Sequence, residues 1–238
     1  MSDEANPVAE NIARVRERIA RAAERSGRSA GEITLVAVSK TFPAEAIRSA
    51  YVAGLRHFGE NRVQEFESKR AVVAGLDANW HMIGHIQGNK AKKVAELFSC
   101  VDSIDRFSVA EKLHGAIAEG AAGKRLPVLI EVKLAGEETK SGVEETALAP
   151  LVEDISQKCS DLALRGLMAI PPYAEDPEQA RPFFRRLREL RDDLRQKLGL
   201  ELPVLSMGMS HDFEVAIEEG ATEVRIGTAV FGSREKIR

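Results

Sequence analysis

This chain of 238 residues has few cysteines and few aromatic residues, and its positive and negative charges nearly balance. Its two cysteines, Cys100 and Cys159, have neither the spacing of a metal site nor the density of a disulfide scaffold, which is typical of a reducing compartment. The net charge of −3 gives no strong field that would recruit nucleic acid or an anionic membrane. No run approaches ~20 uninterrupted apolar residues, and the amphipathic start of the chain is too acidic for a targeting peptide. The composition predicts a cytoplasmic protein that binds neither membranes nor nucleic acid.

Apolar runs alternate with helical patterns along the chain, after an opening helix predicted over residues 7–26. Strict alternation predicts parallel strands joined by right-handed crossovers. Eight strands in a chain of this length favour one domain, residues 1–238, built as a (β/α)8 TIM barrel, with a doubly wound open sheet as the alternative. The predicted strands are 33–39, 57–59, 80–84, 100–104, 127–132, 164–170, 203–206 and 224–227.

Chemically suggestive residues follow the predicted strands, at the end where barrel enzymes place their sites. Lys40 ends the first strand, and a partly buried lysine amine can form an imine with a carbonyl. The loops 206–213 and 227–232 contain glycines and hydroxyls after strands seven and eight, where barrels commonly bind phosphate. Ser210 is expected to cap the helix that follows it, and Thr228 adds a second hydroxyl. The pattern fits a ligand with a phosphate and an aldehyde: pyridoxal 5′-phosphate, or the sugar phosphate of a Schiff-base aldolase. The alternative for Lys40 is a solvated rim lysine.

Arg225 is the third candidate group. Alternation in the last strand sets its side chain opposite to those of Val224 and Ile226, toward the interior of a barrel. A guanidinium only donates hydrogen bonds and stays charged, so beside a pyridine nitrogen it would leave that nitrogen unprotonated and the ring a poor electron sink. The alternative is a structural ion pair.

Six segments carry a family resemblance in order from about residue 8 to the C-terminus. They are AVSKTFPAEAI (37–47), FGENRVQEF (58–66), WHMIGHIQGNK (80–90), KSG (140–142), GLMAI (166–170) and LSMGMSHDFEVAIEEGATEVRIGTAVFG (205–232). The chain resembles the pyridoxal phosphate homeostasis proteins. This resemblance implies a single barrel of the alanine racemase type, the type III fold of pyridoxal phosphate proteins, without the C-terminal β-domain of racemases.

The same resemblance implies a set of cofactor-binding residues. Pyridoxal 5′-phosphate would be bound through an internal aldimine. The implied residues are Lys40 for that aldimine, Asn61 near the ring, Arg225 at the pyridine nitrogen, Ser210, Gly227 and Thr228 at the phosphate, and His81 and Met207 in the pocket lining.

The cofactor site comes without an evident catalytic partner, so no catalytic residue is assigned. Racemases of this fold type receive an opposing tyrosine from their dimer partner, whereas this chain has only Tyr51 in a crossover helix and Tyr173 in a loop. We therefore expect a monomer that buffers pyridoxal phosphate or delivers it to apo-enzymes that depend on this cofactor. A weakly active amino-acid racemase is the alternative.

A loop lysine and a histidine pair also bear on the function. Lys140 is expected in the loop after the fifth strand. It is either a transfer lysine, because a second amine at the barrel mouth would pass the cofactor on by transimination, or a solvated or phosphate-attracting loop charge. His81 and His85 are four residues apart but lack convergent carboxylates, so no metal site is expected.

Overall fold

The computed structural model describes residues 7–120, 125–135 and 141–233. Its strands lie close to the predicted ones, with one short addition after residue 140. The strands are β1 (Thr34–Val38), β2 (His57–Glu60), β3 (Asn79–Met82), β4 (Cys100–Ile104), β5 (Leu126–Lys133), β6 (Val143–Glu144), β7 (Leu162–Met168), β8 (Val204–Ser206) and β9 (Glu223–Ile226).

The sheet closes on itself. Its strand order is β4-β3-β2-β1-β9-β8-β7-β5, and β4 also pairs with β5, so the two ends of this series meet. All pairings are parallel, and β6 adds only a short edge to β5. The (β/α)8 barrel is therefore confirmed, and the doubly wound open sheet is wrong.

Helices cover the outside of the barrel. In the helix Arg181–Leu198, for example, the buried residues Phe184, Leu187, Leu190 and Leu194 recur at helical spacing and face the strands. Short 3-10 helices occupy Ala30–Glu32, Gly88–Lys90 and Pro177–Ala180. Nowhere in the described ranges is a helix both long enough and apolar enough to cross a bilayer. The α-helices are α1 (Pro7–Arg25), α2 (Ala44–Val52), α3 (Val63–Val73), α4 (Ala91–Leu97), α5 (Phe107–Gly120), α6 (Glu145–Lys158), α7 (Arg181–Leu198), α8 (Phe213–Glu218) and α9 (Thr228–Phe231).

The apolar core and the polar interior occupy different sides of the sheet. Val224 and Ile226 belong to the hydrophobic core between the strands and the helices. Arg225, between them, is only 4% exposed and faces the inside of the barrel, as the alternation predicts. Polar side chains that share this interior include His81 and Asp102, both buried. Arg225, His81 and Asp102 therefore lie on the inner side of the sheet, whereas the hydrophobic core lies between the strands and the helices.

Close packing of β7 against β8 requires glycine at position 166. A Cβ added at Gly166 would lie 1.8 Å from the carbonyl oxygen of Val204, which belongs to the backbone and cannot rotate away. We expect Gly166→Ala to lower the free energy of unfolding by at least about 2 kcal/mol. Chemical denaturation of both proteins measures this difference.

Gly115 in α5 provides the control, because a Cβ added there meets no atom within 4 Å. Gly115→Ala should raise stability by about 0.5–1 kcal/mol, since alanine is the better helix former. Equal stability of Gly166→Ala and wild type would contradict the packing described for β7 and β8.

Candidate ligand-binding site

Predicted ligand-binding residues gather at the carboxyl ends of four adjacent strands. The strands β2, β1, β9 and β8 are neighbours in the sheet. Asn61 follows β2, Lys40 follows β1, Thr228 follows β9 and Ser210 follows β8. Because the strands are parallel, their exits form one side of the barrel mouth.

Residues 39–43, between β1 and α2, form the segment that we call the Lys40 loop. This loop contacts the helix that follows β9. The rings of Phe42 and Phe231 lie 4.9 Å apart between centroids, which ties this loop to α9. The start of α9 also packs on β1, because a Cβ at Gly227 would lie 3.4 Å from the carbonyl oxygen of Val38. Lys40, which is half-buried, is therefore carried on a segment packed against the predicted phosphate loop.

The two predicted phosphate-binding hydroxyls face each other. Thr228 Oγ1 donates to Ser210 Oγ at 3.1 Å, and Ser210 Oγ accepts the backbone N–H of Ala229 at 3.2 Å. Ser210 does not cap α8, so that prediction is wrong: the cap residue is Asp212, whose carboxylate instead accepts the N–H of Met209 at 2.6 Å. The hydroxyl of Ser210 is thus directed across to α9 and to Thr228.

Asn61 lies against the exit of β3. A Cβ at Gly84 would come 2.2 Å from the backbone carbonyl oxygen of Asn61, so only glycine lets the two loops approach this closely. Beside them is a cavity of about 550 Å³ whose lining includes Asn61, Arg62, Met82, His85 and Lys90. The structure therefore places Asn61 at the edge of an open cavity on the same side as Lys40.

Arg225 is fixed inside the barrel below this mouth. Its guanidinium donates to Ser206 Oγ at 2.6 Å and to the carbonyl oxygen of Ala169 at 2.9 Å. Burial lowers the pKa of Arg225, while carboxylates led by Glu223 and Asp102 oppose that shift. A guanidinium has five N–H groups, more than these two hydrogen bonds use. It can therefore also donate to a ligand that enters from the mouth.

His81 lies in a different part of the interior. Together with Thr34, His57, Asn79 and Cys100, it lines a cavity of about 240 Å³ near the amino ends of the strands. His81 Nδ1 donates to Asp102 Oδ2 at 3.0 Å, and Cys100 Sγ donates to Asp102 Oδ1 at 2.9 Å. The structure does not bring His81 together with the residues at the mouth.

Two of these interior groups have strongly shifted pKa values. Burial disfavours the charged form of His81, but its ion pair with Asp102 and the nearby Glu223 outweigh burial and raise its pKa to about 9. Burial, together with the charge of Asp102, raises the pKa of Glu223 to about 7. Burial and the His81 charge lower the pKa of His57, so His81 Nε2 donates to a neutral His57 Nδ1 at 3.0 Å.

Ligand atoms of His81, Cys100 and Asp102 lie within 4.8 Å of one another, a spacing at which they could hold a metal ion. Each is engaged by hydrogen bonds within the group. His85 lies outside this group and pairs with Asp105 at 3.0 Å, so His81 and His85 do not form a pair.

Three residues named from the sequence remain: Met207, Lys140 and Tyr173. The side chain of Met207 is fully buried in the hydrophobic core, so its contact with a ligand stays a prediction. Lys140 falls outside the described residues. Tyr173 is 79% exposed and contacts the ring of His211, as expected of a rim residue.

Sequence reasoning missed Glu60 and Lys69, which lie buried beside the Lys40 loop. Lys69 had a readable signal: it shares the helical stripe of Val63, Phe66 and Val73, and a lysine on the buried face of a helix is rare. Glu60 ends β2 next to Asn61 and gave no comparable signal.

Comparison with known proteins identifies relatives along almost the whole chain. The profile of the family described as "Alanine racemase, N-terminal domain" matches residues 10–235. A pyridoxal phosphate homeostasis protein of Pseudomonas aeruginosa is 49% identical over 228 residues, covering 96% of each chain. One from Aquifex aeolicus is 49% identical over 201 residues, covering 84% of this chain and 87% of the relative.

Solved structures show the same architecture. PipY of Synechococcus elongatus, solved with PLP bound, is 37% identical, has a TM-score of 0.84, and is matched over 94% of this chain and 100% of PipY. Alanine racemase of Corynebacterium glutamicum has a TM-score of 0.71 at 18% identity, a likeness of fold alone. The match covers 96% of this chain and 61% of that racemase.

The charge of His81 predicts a loss of stability in alkaline solution. Its pKa rises from 6.5 to about 9 on folding, so its stabilisation is complete below pH 6.5 and is lost as the pH rises through 9. Glu223 titrates at about pH 7 in the folded protein, mostly below this window. Between about pH 7 and about pH 9.5 we expect the free energy of unfolding to fall by about 2 kcal/mol. Denaturant titrations across this range measure the loss.

Asp102→Asn should abolish most of this dependence, because removing the carboxylate charge returns the pKa of His81 toward its ordinary value. Asp154→Asn, which removes an exposed i,i+4 partner of Lys158, is the matched control and should keep the wild-type pH profile. A flat wild-type profile would show that His81 is uncharged in the folded protein.

Proposed function

This chain belongs to the alanine racemase N-terminal domain family and to the pyridoxal phosphate homeostasis proteins within it, and we propose that it binds pyridoxal 5′-phosphate and buffers or delivers it. The observation that carries the proposal is the packing of the Lys40 loop on α9, next to the facing hydroxyls of Ser210 and Thr228. Its effect on amino-acid and keto-acid metabolism would be indirect, through the supply of cofactor.

The donor set fits each part of this cofactor. Ser210 and Thr228 offer hydroxyls to a phosphate, Lys40 offers an amine to an aldehyde, and Arg225 offers N–H donors to the ring nitrogen. When bound, pyridoxal phosphate supplies the aldehyde and an aromatic ring that can accept electrons. Lys40 would hold the cofactor through its amine, the group that an aldehyde takes up. Asn61, at the edge of the adjacent cavity, would contact the ring from the side of β2.

The positions of the two tyrosines favour holding the cofactor over amino-acid racemisation. Tyr51 lies on α2, where the guanidinium of Arg56 sits 4.0 Å from its ring centroid, and Tyr173 is largely exposed at the rim. We therefore assign no catalytic tyrosine to this chain. We also propose that the protein is a cytoplasmic monomer.

Delivery of pyridoxal phosphate to an acceptor protein would be the step that follows its binding. Lys140 would take the cofactor from Lys40 by exchange of one amine for another, which avoids free aldehyde. Apo-enzymes that depend on pyridoxal phosphate would be the recipients. Acceptor reactivation by Lys140→Ala and by wild type, at equal cofactor loading, tests this step.

Lys40→Ala tests the covalent site. We expect this variant to lose borohydride-trapped cofactor at residue 40 and the visible absorption of the bound form, because the amine is gone. Its free energy of unfolding should change by no more than about 0.5 kcal/mol, since Lys40 lies at the rim of the barrel. Peptide mass mapping after reduction measures the attachment.

Lys93→Ala is the control, because Lys93 is exposed and pairs with Glu67 on the outer helices. It should retain full attachment at Lys40. Undiminished covalent cofactor in Lys40→Ala would place the attachment at another lysine.

The hydroxyl pair is tested by combining Ser210→Ala with Thr228→Val. The double variant should bind pyridoxal phosphate on the order of tenfold to a hundredfold more weakly, because it loses two hydrogen bonds to a charged group. Its affinity for pyridoxal, which lacks the phosphate, should stay at the wild-type value. Equilibrium titration with both ligands gives this comparison.

Ser156→Ala removes an exposed hydroxyl from α6 and should leave both affinities unchanged. If the double variant loses affinity for both ligands equally, the hydroxyls support the site without contacting the phosphate.

A further inference from the structure

The turn that carries Lys40 has an unusual backbone. The carbonyl oxygen of Ser39 accepts the N–H of Phe42 at 3.1 Å, which closes a four-residue turn with Lys40 at its second position and Thr41 at its third. Thr41 has φ +67°, in the left-handed region that a β-branched residue rarely adopts. Such a conformation persists only where the surrounding structure holds it in place.

Three side chains from the next β–α unit hold this turn: Glu60 at the end of β2, and Glu65 and Lys69 in α3, which we call the Lys69 cluster. Lys69 Nζ donates to the carbonyl oxygen of Ser39 at 2.9 Å and to Glu65 Oε1 at 2.8 Å. Glu65 Oε1 in turn accepts the N–H of Thr41. The peptide unit before Lys40 and the one after it are therefore both bonded to the same cluster.

The cluster is itself enclosed. Lys69 is 7% exposed and Glu60 is fully buried. Glu60 Oε1 accepts from Lys69 Nζ at 2.9 Å and from Ser39 Oγ at 2.7 Å. Burial raises the pKa of Glu60, and the bonds from Lys69 and Ser39 oppose that shift. A lysine this deeply buried is rare unless it is paired, and here it also bonds the backbone beside Lys40.

Building on the proposed function, we propose that Lys69 is a positioning residue for Lys40. The amine of Lys40 stands at the end of a flexible four-carbon stem, so its reach into the mouth depends on the direction in which the turn aims it. Lys69 fixes that direction by holding the Ser39 carbonyl directly and the Thr41 N–H through Glu65. Condensation with an aldehyde needs the two reacting atoms in a narrow range of geometry, and the turn provides it.

Lys69 also has a charge role, because its ammonium group neutralises the buried carboxylate of Glu60. The variants Lys69→Met and Lys69→Met/Glu60→Gln separate the two roles. The single variant loses the hydrogen bonds and leaves a buried charge unpaired. The double variant removes that charge as well and still lacks the bond to the Ser39 carbonyl.

The experiment compares two ligands on each protein. Pyridoxal 5′-phosphate is used to measure the rate of capture, meaning covalent attachment at Lys40. Borohydride reduction and mass mapping quantify the attached cofactor. Pyridoxine 5′-phosphate, which carries an alcohol in place of the aldehyde, reports affinity without capture. In the double variant we expect capture to be about tenfold slower or more, with wild-type affinity for pyridoxine phosphate and a stability above that of Lys69→Met.

Glu65→Leu tests the cluster independently, because it removes the acceptor for the Thr41 N–H while Lys69 keeps Glu60 neutralised. It should also slow capture without changing the affinity for pyridoxine phosphate. Lys93→Met removes an exposed lysine of α4 that pairs with Glu67 of α3, and it should match wild type in every readout.

Capture at the wild-type rate in the double variant or in Glu65→Leu would overturn the positioning role. So would a parallel loss of capture and of pyridoxine phosphate affinity, because that result describes general damage to the site. A wild-type protein that captures no cofactor at Lys40 would instead overturn the proposed function itself.

Discussion

Arg225 places a permanent positive charge inside a closed sheet, and the interior of the barrel is arranged around that charge. A buried guanidinium is tolerated only when hydrogen bonds and opposite charges compensate its lost hydration. Ser206 and the Ala169 carbonyl supply the hydrogen bonds. The carboxylates that act on it most strongly are those of Glu223, Asp102, Glu131 and Asp212. These acids in turn need positively charged or donating partners. His81 is such a partner for Asp102, whose charge keeps His81 protonated by raising its pKa.

The fold was largely predictable because burial on both faces leaves a simple pattern in sequence. Short strand-like segments alternate with segments of helical period along the chain, and this alternation located eight strands. Closure was harder, since the pairing of β4 with β5 depends on cumulative twist and not on any one segment. The Ser210 cap was wrong for a local reason: Asp212 lies nearer to the first turn of α8 and takes the cap position.

The mouth was more predictable than the network below it. Lys40, Thr228 and Asn61 each follow a strand, so the barrel rule alone brings them to one edge. By contrast, the contact of His81 with Asp102 and that of Lys69 with Ser39 join residues that are 21 and 30 positions apart. Such pairs depend on strand register and on the rotation of α3, neither of which one sequence reveals. The family resemblance implied that His81 lies near the ligand, whereas in the structure it lines the cavity near the amino ends of the strands.

The separation of the two ends of the interior bears on what the proposed ligand could do there. Ser206 and Ala169 lie at or beyond the carboxyl ends of β8 and β7 and hold the guanidinium toward the mouth, while His81 and Asp102 occupy the opposite half. A ring nitrogen at the mouth would thus meet a donor that stays charged. Carboxylates deeper in the barrel, such as Glu223 and Asp102, balance the charge of that donor. Such a donor cannot share its proton with the ring in the way a carboxylic acid can, because a guanidinium keeps its protons in proteins. The ring would remain a weak electron sink, a setting that tolerates simple proton transfer and is ill suited to broad carbanion chemistry.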